Sequence, residues 1–437
     1  MAWCFRWMAA SALSAEFEVE GLGSSDRVLR EEQVREVLDK AFAEVPVDGR
    51  RLLVLLPDGT RHAPIPMLFR LLNELLGRRA SRIDFLIALG THPAMSPEAV
   101  DRLVGLPESE RAALYPHASV FNHTWDQPGT LVRVGTLSGA ELDEVTGGLL
   151  CEDVPVDLSR SMLDYDHLII CGPVFPHEVA GFSGGAKYIF PGIAGPDVIN
   201  ATHWLGALVS NVRTIGVKDT AVRRVIHRAA KLVPKPITCI ALVVRGDALH
   251  GIWCGDYEEA WSVAADLSAE LEIVHVPRGF GRVLSMPSEI YDDLWTAAKA
   301  MYKVEPAVAD GGEVVIYAPH LREISFTHGR IIDQVGYHVL EYFTKQPERF
   351  AAVPGMIKAH STHVKGGGSY DLDSGAERPR IRVTLATGIS EERCRRVNLG
   401  YLDPRTVEVG AWEGREAEGV LVVRNAGEML YRARDVS

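Results

Sequence analysis

One run of apolar residues constrains the fold more than any other feature of this sequence. Residues 51–56 read Arg-Leu-Leu-Val-Leu-Leu, the composition of a strand that is buried on both faces of a sheet. A helical pattern follows at 65–78, and a second strand pattern follows at 83–89. Because strands that alternate with helices build parallel sheets, the sequence predicts a mostly parallel α/β fold.

The same alternation continues along the rest of the chain. Ser96 is placed as the N-cap of a predicted helix at 97–104, with Pro97 at its first position. The other predicted elements are strands at 168–171, 237–244, 313–317, 380–385 and 419–424, and helices at 194–208, 336–344 and 390–397. The stretch 366–376 is rich in glycine and predicts a loop.

We therefore predict two lobes, each a mostly parallel sheet flanked by helices, with the active site in the cleft between them. Proline and glycine interrupt the pattern at 276–281, which indicates a boundary there. On this prediction residues 1–17 are a disordered extension. Residues 18–277 then form an N-terminal domain with the ligand-binding loops, and 278–437 form a C-terminal domain that contributes substrate-binding residues.

Charge and cysteine content exclude several classes of function. Of 437 residues, 58 are acidic and 46 are basic, which gives a formal net charge of -12. This balance argues against nucleic acid or an anionic membrane as the main partner, since both require a basic surface. The six cysteines show no Cys-x-x-Cys pair, and no apolar run approaches the roughly 18 residues of a membrane span. We expect a cytoplasmic enzyme with reduced thiols, which could form an oligomer.

The glycine-rich loop at 181–186 is the most distinctive local motif. It follows a buried-strand pattern, and its glycines, including Gly184 and Gly185, would let backbone N–H groups approach an anion or a cofactor. Three candidate ligands or nucleophiles flank the loop: His177, Lys187 and His203.

This loop is not a phosphate-binding P-loop, which has the pattern Gly-x-x-x-x-Gly-Lys-Ser/Thr. Ala186 stands where the second glycine is required, and Tyr188 stands where the magnesium-binding hydroxyl is required. A nucleoside triphosphatase is therefore disfavoured.

Polar side chains also follow two earlier predicted strands. Asp58, Thr60 and Arg61 come directly after the strand at 51–56, and together they suit a phosphate or carboxylate ligand. His92 follows the next strand, where it is well placed for acid/base chemistry. The alternatives are an ordinary Asp-Gly turn and a solvated histidine. The shared position past strand ends, where open α/β sheets bind ligands, favours a site.

Segments 58–61, 90–92 and 176–203 together resemble the lactate racemase family. The resemblance implies a nickel-pincer nucleotide, in which nickel is bound to a pyridinium-3-thioamide-5-thiocarboxylate mononucleotide. It implies that Lys187 attaches covalently to this cofactor and that His203 is the protein ligand of the metal. The residues it associates with cofactor binding are Lys187, Asp58, Thr60, Gly184 and Gly185.

The resemblance also implies a racemase or epimerase of a 2-hydroxy acid that acts by reversible hydride transfer from Cα to the cofactor. One of His92 and His177 would remove the hydroxyl proton, and the other would return it on the opposite face. Separate cofactor-biosynthesis enzymes would be transient partners, and the hydroxy acid would be the small-molecule substrate.

In the second lobe the resemblance implies that Lys299 binds the substrate carboxylate. Thr296 stands where the family often has glutamine, and Pro93 where it often has arginine. His360 and His363 are interpreted as polar groups that face the cleft rather than as a metal pair. The predicted substrate-binding residues are Arg61, Lys299, Trp295, Thr296, His360 and His363.

Further polar residues, His320, Arg322 and Lys365, are expected in the same cleft. Because lactate would leave such groups unpaired, we predict a substrate larger than lactate. The alternatives are lactate racemase itself and a non-catalytic carrier of the nickel cofactor. An ordinary nicotinamide oxidoreductase is disfavoured because no Gly-x-Gly-x-x-Gly follows a predicted first strand.

Overall fold

The computed structural model describes residues 18–90 and 92–436. The extension expected at 1–17 and Thr91 of the Gly-Thr-His motif lie outside the described residues. The strands of the first lobe are β1 (Glu20–Gly23), β2 (Arg51–Leu56), β3 (Arg82–Ile87), β4 (Val120–Asn122), β5 (Leu131–Leu137), β6 (Val154–Ser159), β7 (His167–Pro173), β8 (Pro176–His177), β9 (Gly181–Phe182), β10 (Ile237–Arg245), β11 (Ala248–Gly255) and β12 (Ile273–Val276). Its helices are α1 (Glu31–Glu44), α2 (Ile65–Leu76), α3 (Pro97–Val104), α4 (Glu108–Leu114), α5 (Gly139–Thr146), α6 (Pro196–Val209), α7 (Asn211–Thr214), α8 (Ala221–Ala230) and α9 (Tyr257–Glu272).

Within the described residues, the first lobe is built on a seven-stranded sheet in the order β1-β11-β10-β7-β2-β3-β4. Strands β10, β7, β2, β3 and β4 run parallel, and β11 and β1 add an antiparallel edge. Leu53 and Leu55 of β2 pack into one hydrophobic core, and Leu52 and Val54 pack into another. The prediction that residues 51–56 form a strand buried on both faces is confirmed.

The second lobe repeats this architecture on a smaller scale. Its strands are β13 (Phe280–Pro287), β14 (Val308–Ala318), β15 (Gly368–Asp371), β16 (Ala376–Pro379), β17 (Arg382–Thr387), β18 (Gly400–Tyr401), β19 (Val420–Ala426) and β20 (Leu430–Ala433). Its helices are α10 (Leu294–Ala297), α11 (Lys299–Tyr302), α12 (Gly329–Val335), α13 (Leu340–Thr344), α14 (Gly355–Lys365) and α15 (Glu391–Arg396).

In the described part of this lobe, a five-stranded parallel sheet has the order β18-β17-β14-β13-β19. The α/β prediction is therefore confirmed for both halves of the chain. Across residues 18–90 and 92–436, no helix combines the length and the apolar character that crossing a membrane requires.

Two local predictions in the second lobe are wrong. The helix expected at 336–344 begins only at Leu340, because Gly336 has a φ of +79° and the N–H of Tyr337 bonds to the carbonyl of Val397 instead. The stretch 366–376, expected as a loop, contains most of an antiparallel hairpin of β15 and β16. Tyr370 anchors this hairpin, since its buried ring packs edge-on against Tyr342.

The connection between the lobes lies where proline and glycine interrupt the sequence pattern. Strand β12 ends at Val276 and β13 begins at Phe280. β12 pairs in parallel with β20, so a strand from late in the second lobe lies beside the connection. The division of the chain at residue 277 stays a prediction, because the pairing of β12 with β20 joins the two halves.

Candidate active site

Asp58 and His92 form a hydrogen-bonded pair past the carboxyl ends of β2 and β3. The Asp58 carboxylate bonds to Nδ1 of His92 and also accepts from the backbone N–H and the hydroxyl of Thr60, at 3.0 and 2.6 Å. Burial raises the pKa of Asp58, but the interaction with the His92 imidazole and the charge of Arg61 outweigh it and hold the pKa well below its usual range. A permanent carboxylate at Nδ1 assigns the ring proton to that nitrogen, so Nε2 keeps its lone pair.

His177 has the opposite hydrogen-bond pattern. It lies in β8, just past the end of β7, and its Nδ1 accepts the backbone N–H of Val179 at 3.1 Å. In the neutral ring the proton is therefore assigned to Nε2. Burial, followed by the charge of Lys187, holds the pKa of His177 well below its ordinary value. The two histidines thus differ at Nε2: in His92 this nitrogen keeps its lone pair, and in His177 it carries the ring proton.

The glycines of the loop are required by close packing. A Cβ on Gly181, whose φ is +80°, would lie 1.8 Å from the carbonyl oxygen of Val217. A Cβ on Gly184, whose φ is +75°, would lie 2.5 Å from the Val174 side chain. Both positions combine a left-handed backbone with no room for a side chain, so the loop geometry depends on glycine.

Arg223 and Trp261 hold the loop in place, and sequence reasoning missed both of them. The buried Arg223 guanidinium donates to the carbonyls of Phe182 and Gly184 and lies 4.1 Å from the ring centroid of Trp261. The indole N–H of Trp261 donates to the carbonyl of Ser183 at 2.8 Å. A signal was available, since an arginine on the apolar face of a helix needs buried acceptors.

Lys187 and His203 lie on the wall formed by the loop and α6. Burial, reinforced by the charge of Arg61, lowers the pKa of Lys187 to about 7. Nδ1 of His203 lies 2.7 Å from the carbonyl of Ile199, so this nitrogen carries the proton and Nε2 is free to bind a metal. Burial lowers the pKa of His203 to about 4, which keeps the ring neutral near pH 7.

The second lobe contributes a lysine and a cluster of aromatic rings. Lys299 is buried at the start of α11, donates to the carbonyl of Thr296 at 3.3 Å, and has its pKa lowered to about 7, chiefly by burial. The ring of His360 packs against that of Trp295 at a tilt of 32°, with 4.0 Å between the ring centroids, and its Nδ1 bonds to the Tyr302 hydroxyl at 2.8 Å.

His363 lies one turn further along α14. Its ring lies edge-on to Tyr302, at 5.7 Å between centroids. Within the described residues, its buried Nε2 has no hydrogen-bond partner.

These groups line one cavity of about 120 Å³ whose wall includes both lobes. The sequence-predicted residues on its wall are Asp58, Arg61, His92, His177, Gly184, Lys187, His203, Trp295, Lys299, His360 and His363. Residues on the wall that sequence reasoning did not assign include Phe175, Glu178, Tyr188, Tyr302 and Met356. Glu178 could have been found, because it directly follows His177 in the motif.

Three predicted site residues lie behind this wall. Thr60 bonds to Asp58 and Arg61, and the hydroxyl of Thr296 bonds to Asp293 at 2.9 Å. Gly185 packs against Trp261. These three residues support the wall from behind and do not form part of its surface.

The expectation that His320, Arg322 and Lys365 face the cavity is wrong. Arg322 is exposed, His320 bonds to the carbonyl of Tyr291, and Lys365 donates to the carbonyl of Asn398 at 2.6 Å. These residues give no support to a larger substrate. In the described chain, the cavity included, no group of three or more His, Cys, Asp or Glu side chains is arranged to hold a metal ion.

The sequence of this chain is similar to that of known proteins. A family described as the lactate racemase N-terminal domain matches residues 23–216. The lactate racemase of Thermoanaerobacterium thermosaccharolyticum is 24% identical over 287 residues, which cover 64% of this chain and 62% of that protein. The lactate racemase of Lactiplantibacillus plantarum is 23% identical over 305 residues, covering 67% of each chain. Residues 23–216 therefore form an N-terminal domain of the lactate racemase family.

Solved structures agree at the level of the whole fold. A crystal structure of a protein from Thermotoga maritima has a TM-score of 0.84 and 30% identity, and covers 94% of this chain and 100% of that one. The lactate racemase apoprotein of T. thermosaccharolyticum has a TM-score of 0.67 at 18% identity, covering 88% of each chain. The second likeness concerns the fold alone. The match to the first curated racemase spans less than two thirds of that enzyme's length.

Proposed function

We propose that this chain is a racemase or epimerase of a 2-hydroxy acid. The observation that carries the proposal is that His92 and His177, with complementary hydrogen-bond patterns, line the same cavity as Lys187 and His203. Relatives named lactate racemase support an isomerase of hydroxy acids at a coarse level.

Lys187 and His203 have the chemistry that the nickel-pincer nucleotide requires. With a pKa of about 7, a large fraction of the Lys187 amine is neutral near pH 7 and can act as a nucleophile toward the cofactor. His203 is neutral and presents Nε2, and imidazole nitrogen suits nickel. When bound through these two residues, the cofactor would supply an acceptor for the hydride from Cα of the substrate.

The histidines handle the hydroxyl proton. His92, fixed by Asp58, presents the unprotonated Nε2 and removes the proton from the substrate hydroxyl. His177 returns a proton to the oxygen from its imidazolium form, because a neutral ring that gave up Nε2–H would be left as an imidazolate. Its lowered pKa makes that imidazolium a strong proton donor. The reverse reaction exchanges these roles, so each histidine must cycle between both protonation states.

Arg61 and Lys299 are suited to the substrate carboxylate. Arg61 comes from the first lobe and Lys299 from the second, both line the cavity, and the charge of Arg61 helps to lower the pKa of Lys299. A carboxylate between them would raise the pKa of Lys299 and form charge-assisted hydrogen bonds. This contact fixes which carbon faces the histidines.

The test is to produce the protein together with cofactor-biosynthesis enzymes and to measure intact mass, nickel content and racemisation of enantiopure 2-hydroxy acids. We expect one mononucleotide-sized adduct, about one nickel per chain, and solvent deuterium entering only the exchangeable hydroxyl. An adduct with nickel but no turnover on any acid would indicate the carrier alternative. Turnover without nickel would contradict the proposal.

A further inference from the structure

Glu178 is a buried acid that the proposed chemistry does not use. Asp58 and Glu178 are the acidic residues on the cavity wall in the described part of the chain. Asp58 is fully engaged by His92 and Thr60, as described above. The Glu178 side chain is only 15% exposed, and its carboxylate lies 3.4 Å from Nδ1 of His177.

That neighbour does not satisfy Glu178. Nδ1 of His177 already accepts the backbone N–H of Val179, so in the neutral ring it has no proton for the carboxylate. Among residues 18–90 and 92–436, no other side chain donates a hydrogen bond to Glu178. The carboxylate therefore keeps acceptor capacity that is directed at the cavity.

Glu178 nevertheless stays ionised. Burial raises its pKa, but the charge of Lys299, followed by a hydrogen bond from the backbone N–H of Glu178 itself and by the charges of His363 and Lys187, outweighs burial and lowers the pKa below its ordinary value. In the described part of the chain, Lys299, His363 and Lys187 form no ion pair with the Glu178 carboxylate, so they act on it from beyond contact distance. Attachment of the cofactor to Lys187 as a thioamide would remove the charge of that lysine.

His363 provides a second unsatisfied group on the same wall. Its side chain is 4% exposed, and its Nε2 has no partner within the described residues. A buried polar atom without a partner costs stability unless a ligand or water completes it. Glu178 and His363 together offer a strong acceptor and a donor-or-acceptor site to one ligand.

We infer that Glu178 selects the part of the substrate beyond Cα: it accepts a hydrogen bond from a further hydroxyl group and repels a second carboxylate. The inference rests on the proposed function and names its substrate class as 2-hydroxy monocarboxylic acids with at least one additional hydroxyl. A hydroxyl donor forms a charge-assisted bond with Glu178. A second carboxylate would place two negative charges close together in a desolvated site, and this repulsion would discriminate against dicarboxylic acids.

The test uses two acids that differ only in their terminal group. 2,4-Dihydroxybutanoate ends in a hydroxymethyl group where malate ends in a carboxylate. We would measure kcat/KM of the loaded enzyme for both acids in the wild type and in Glu178→Gln. Glu289→Gln makes the same chemical change at an exposed position away from the cavity and is the matched control.

We expect the wild type to prefer 2,4-dihydroxybutanoate over malate by at least about tenfold in kcat/KM. Glu178→Gln should lower this ratio by at least about tenfold. A tenfold change corresponds to about 1.4 kcal/mol. Glu289→Gln should keep the wild-type ratio. Equal or better use of malate by the wild type would overturn the inference. So would a Glu178→Gln variant that slows both acids equally, which would instead assign Glu178 to positioning His177.

Binding to the cofactor-free Lys187→Gln protein separates this inference from the proposed function. The substitution removes the lysine charge, as cofactor attachment would, and calorimetry then compares the two acids with and without Glu178→Gln. A Glu178-dependent preference in binding, with no racemisation by the loaded enzyme, would support the selectivity and contradict the proposed reaction. Racemisation without any Glu178-dependent preference would support the proposed reaction and contradict the selectivity.

Discussion

The cavity has two walls that are built from different kinds of structure. On the first-lobe wall, reactive groups stand on short segments past strand ends, and their hydrogen bonds fix single nitrogens, as for His92 and His177. On the second-lobe wall, rings pack against each other, as Trp295 and His360 do. A wall of directed polar atoms is suited to moving protons, and a wall of packed rings is suited to shaping the space. We therefore expect substitutions on the first wall to reduce turnover and those on the second wall to change substrate affinity.

The largest effect is expected at Lys187. Lys187→Ala should lose the covalent adduct and all measurable racemisation, because the amine that would hold the cofactor is gone. Intact mass and chiral analysis of the product measure both losses. Lys231→Ala, at an exposed lysine of the same lobe, should retain both. An active Lys187→Ala enzyme would show that covalent attachment is unnecessary.

The acid/base pair should give the next largest effect. His92→Ala and His177→Ala should each lower kcat by about 10²–10⁴, the usual contribution of a positioned proton-transfer group. Nickel content should remain near that of the wild type, and His117→Ala, at an exposed histidine, should change neither quantity. Full turnover in either cavity variant would refute a mechanism that needs two histidines.

Asp58→Asn sharpens the same comparison. The amide keeps the shape of the side chain but no longer provides the charge that assigns the proton to Nδ1 of His92. We expect kcat to fall while the fold and nickel content persist, with a smaller loss than in His92→Ala. If Asp58→Asn matched the wild type, the tautomer assigned to His92 would be of no consequence for turnover.

A pH effect of intermediate size is expected at Lys299. Its pKa is lowered to about 7 from the ordinary 10.5, so the ammonium is lost as pH rises through about 7. Affinity for a carboxylate should therefore fall above that pH, at most about tenfold per unit. Lys299→Arg keeps its charge at every pH and should make KM nearly independent of pH from 7 to 9. Parallel KM profiles in both proteins would contradict this role.

The smallest effect is expected on the second-lobe wall. His363→Gln keeps a polar group on α14 but changes the geometry around the unpartnered Nε2. KM should rise by about two- to tenfold, the value of one ordinary hydrogen bond, while kcat stays within about twofold. A loss of kcat comparable to that in His177→Ala would contradict the expectation that the second-lobe wall affects substrate affinity rather than turnover.

The first-lobe wall could be predicted from sequence far better than the second. Asp58, His92 and His177 follow runs of apolar residues, and parallel strands bring their carboxyl ends to one edge of a sheet. His320, Arg322 and Lys365 were misplaced because a polar residue on a short helix or loop carries no periodic signal for the direction it faces. Burial of Arg223 beneath the glycine loop depends on contacts between distant segments, which local patterns do not contain.

The pairing of β12 with β20 also bears on how ligands reach the cavity. A hinge between lobes needs a few residues that are free to change φ and ψ. Here the connecting segment lies beside a second strand, and Arg432 of that strand donates to the carbonyls of Val212 and Ile215 in the first lobe. Swinging the lobes apart would break this ladder together with the arginine contacts. We therefore expect substrate and product to pass through small rearrangements of side chains at the cavity mouth, with the two lobes moving as one frame.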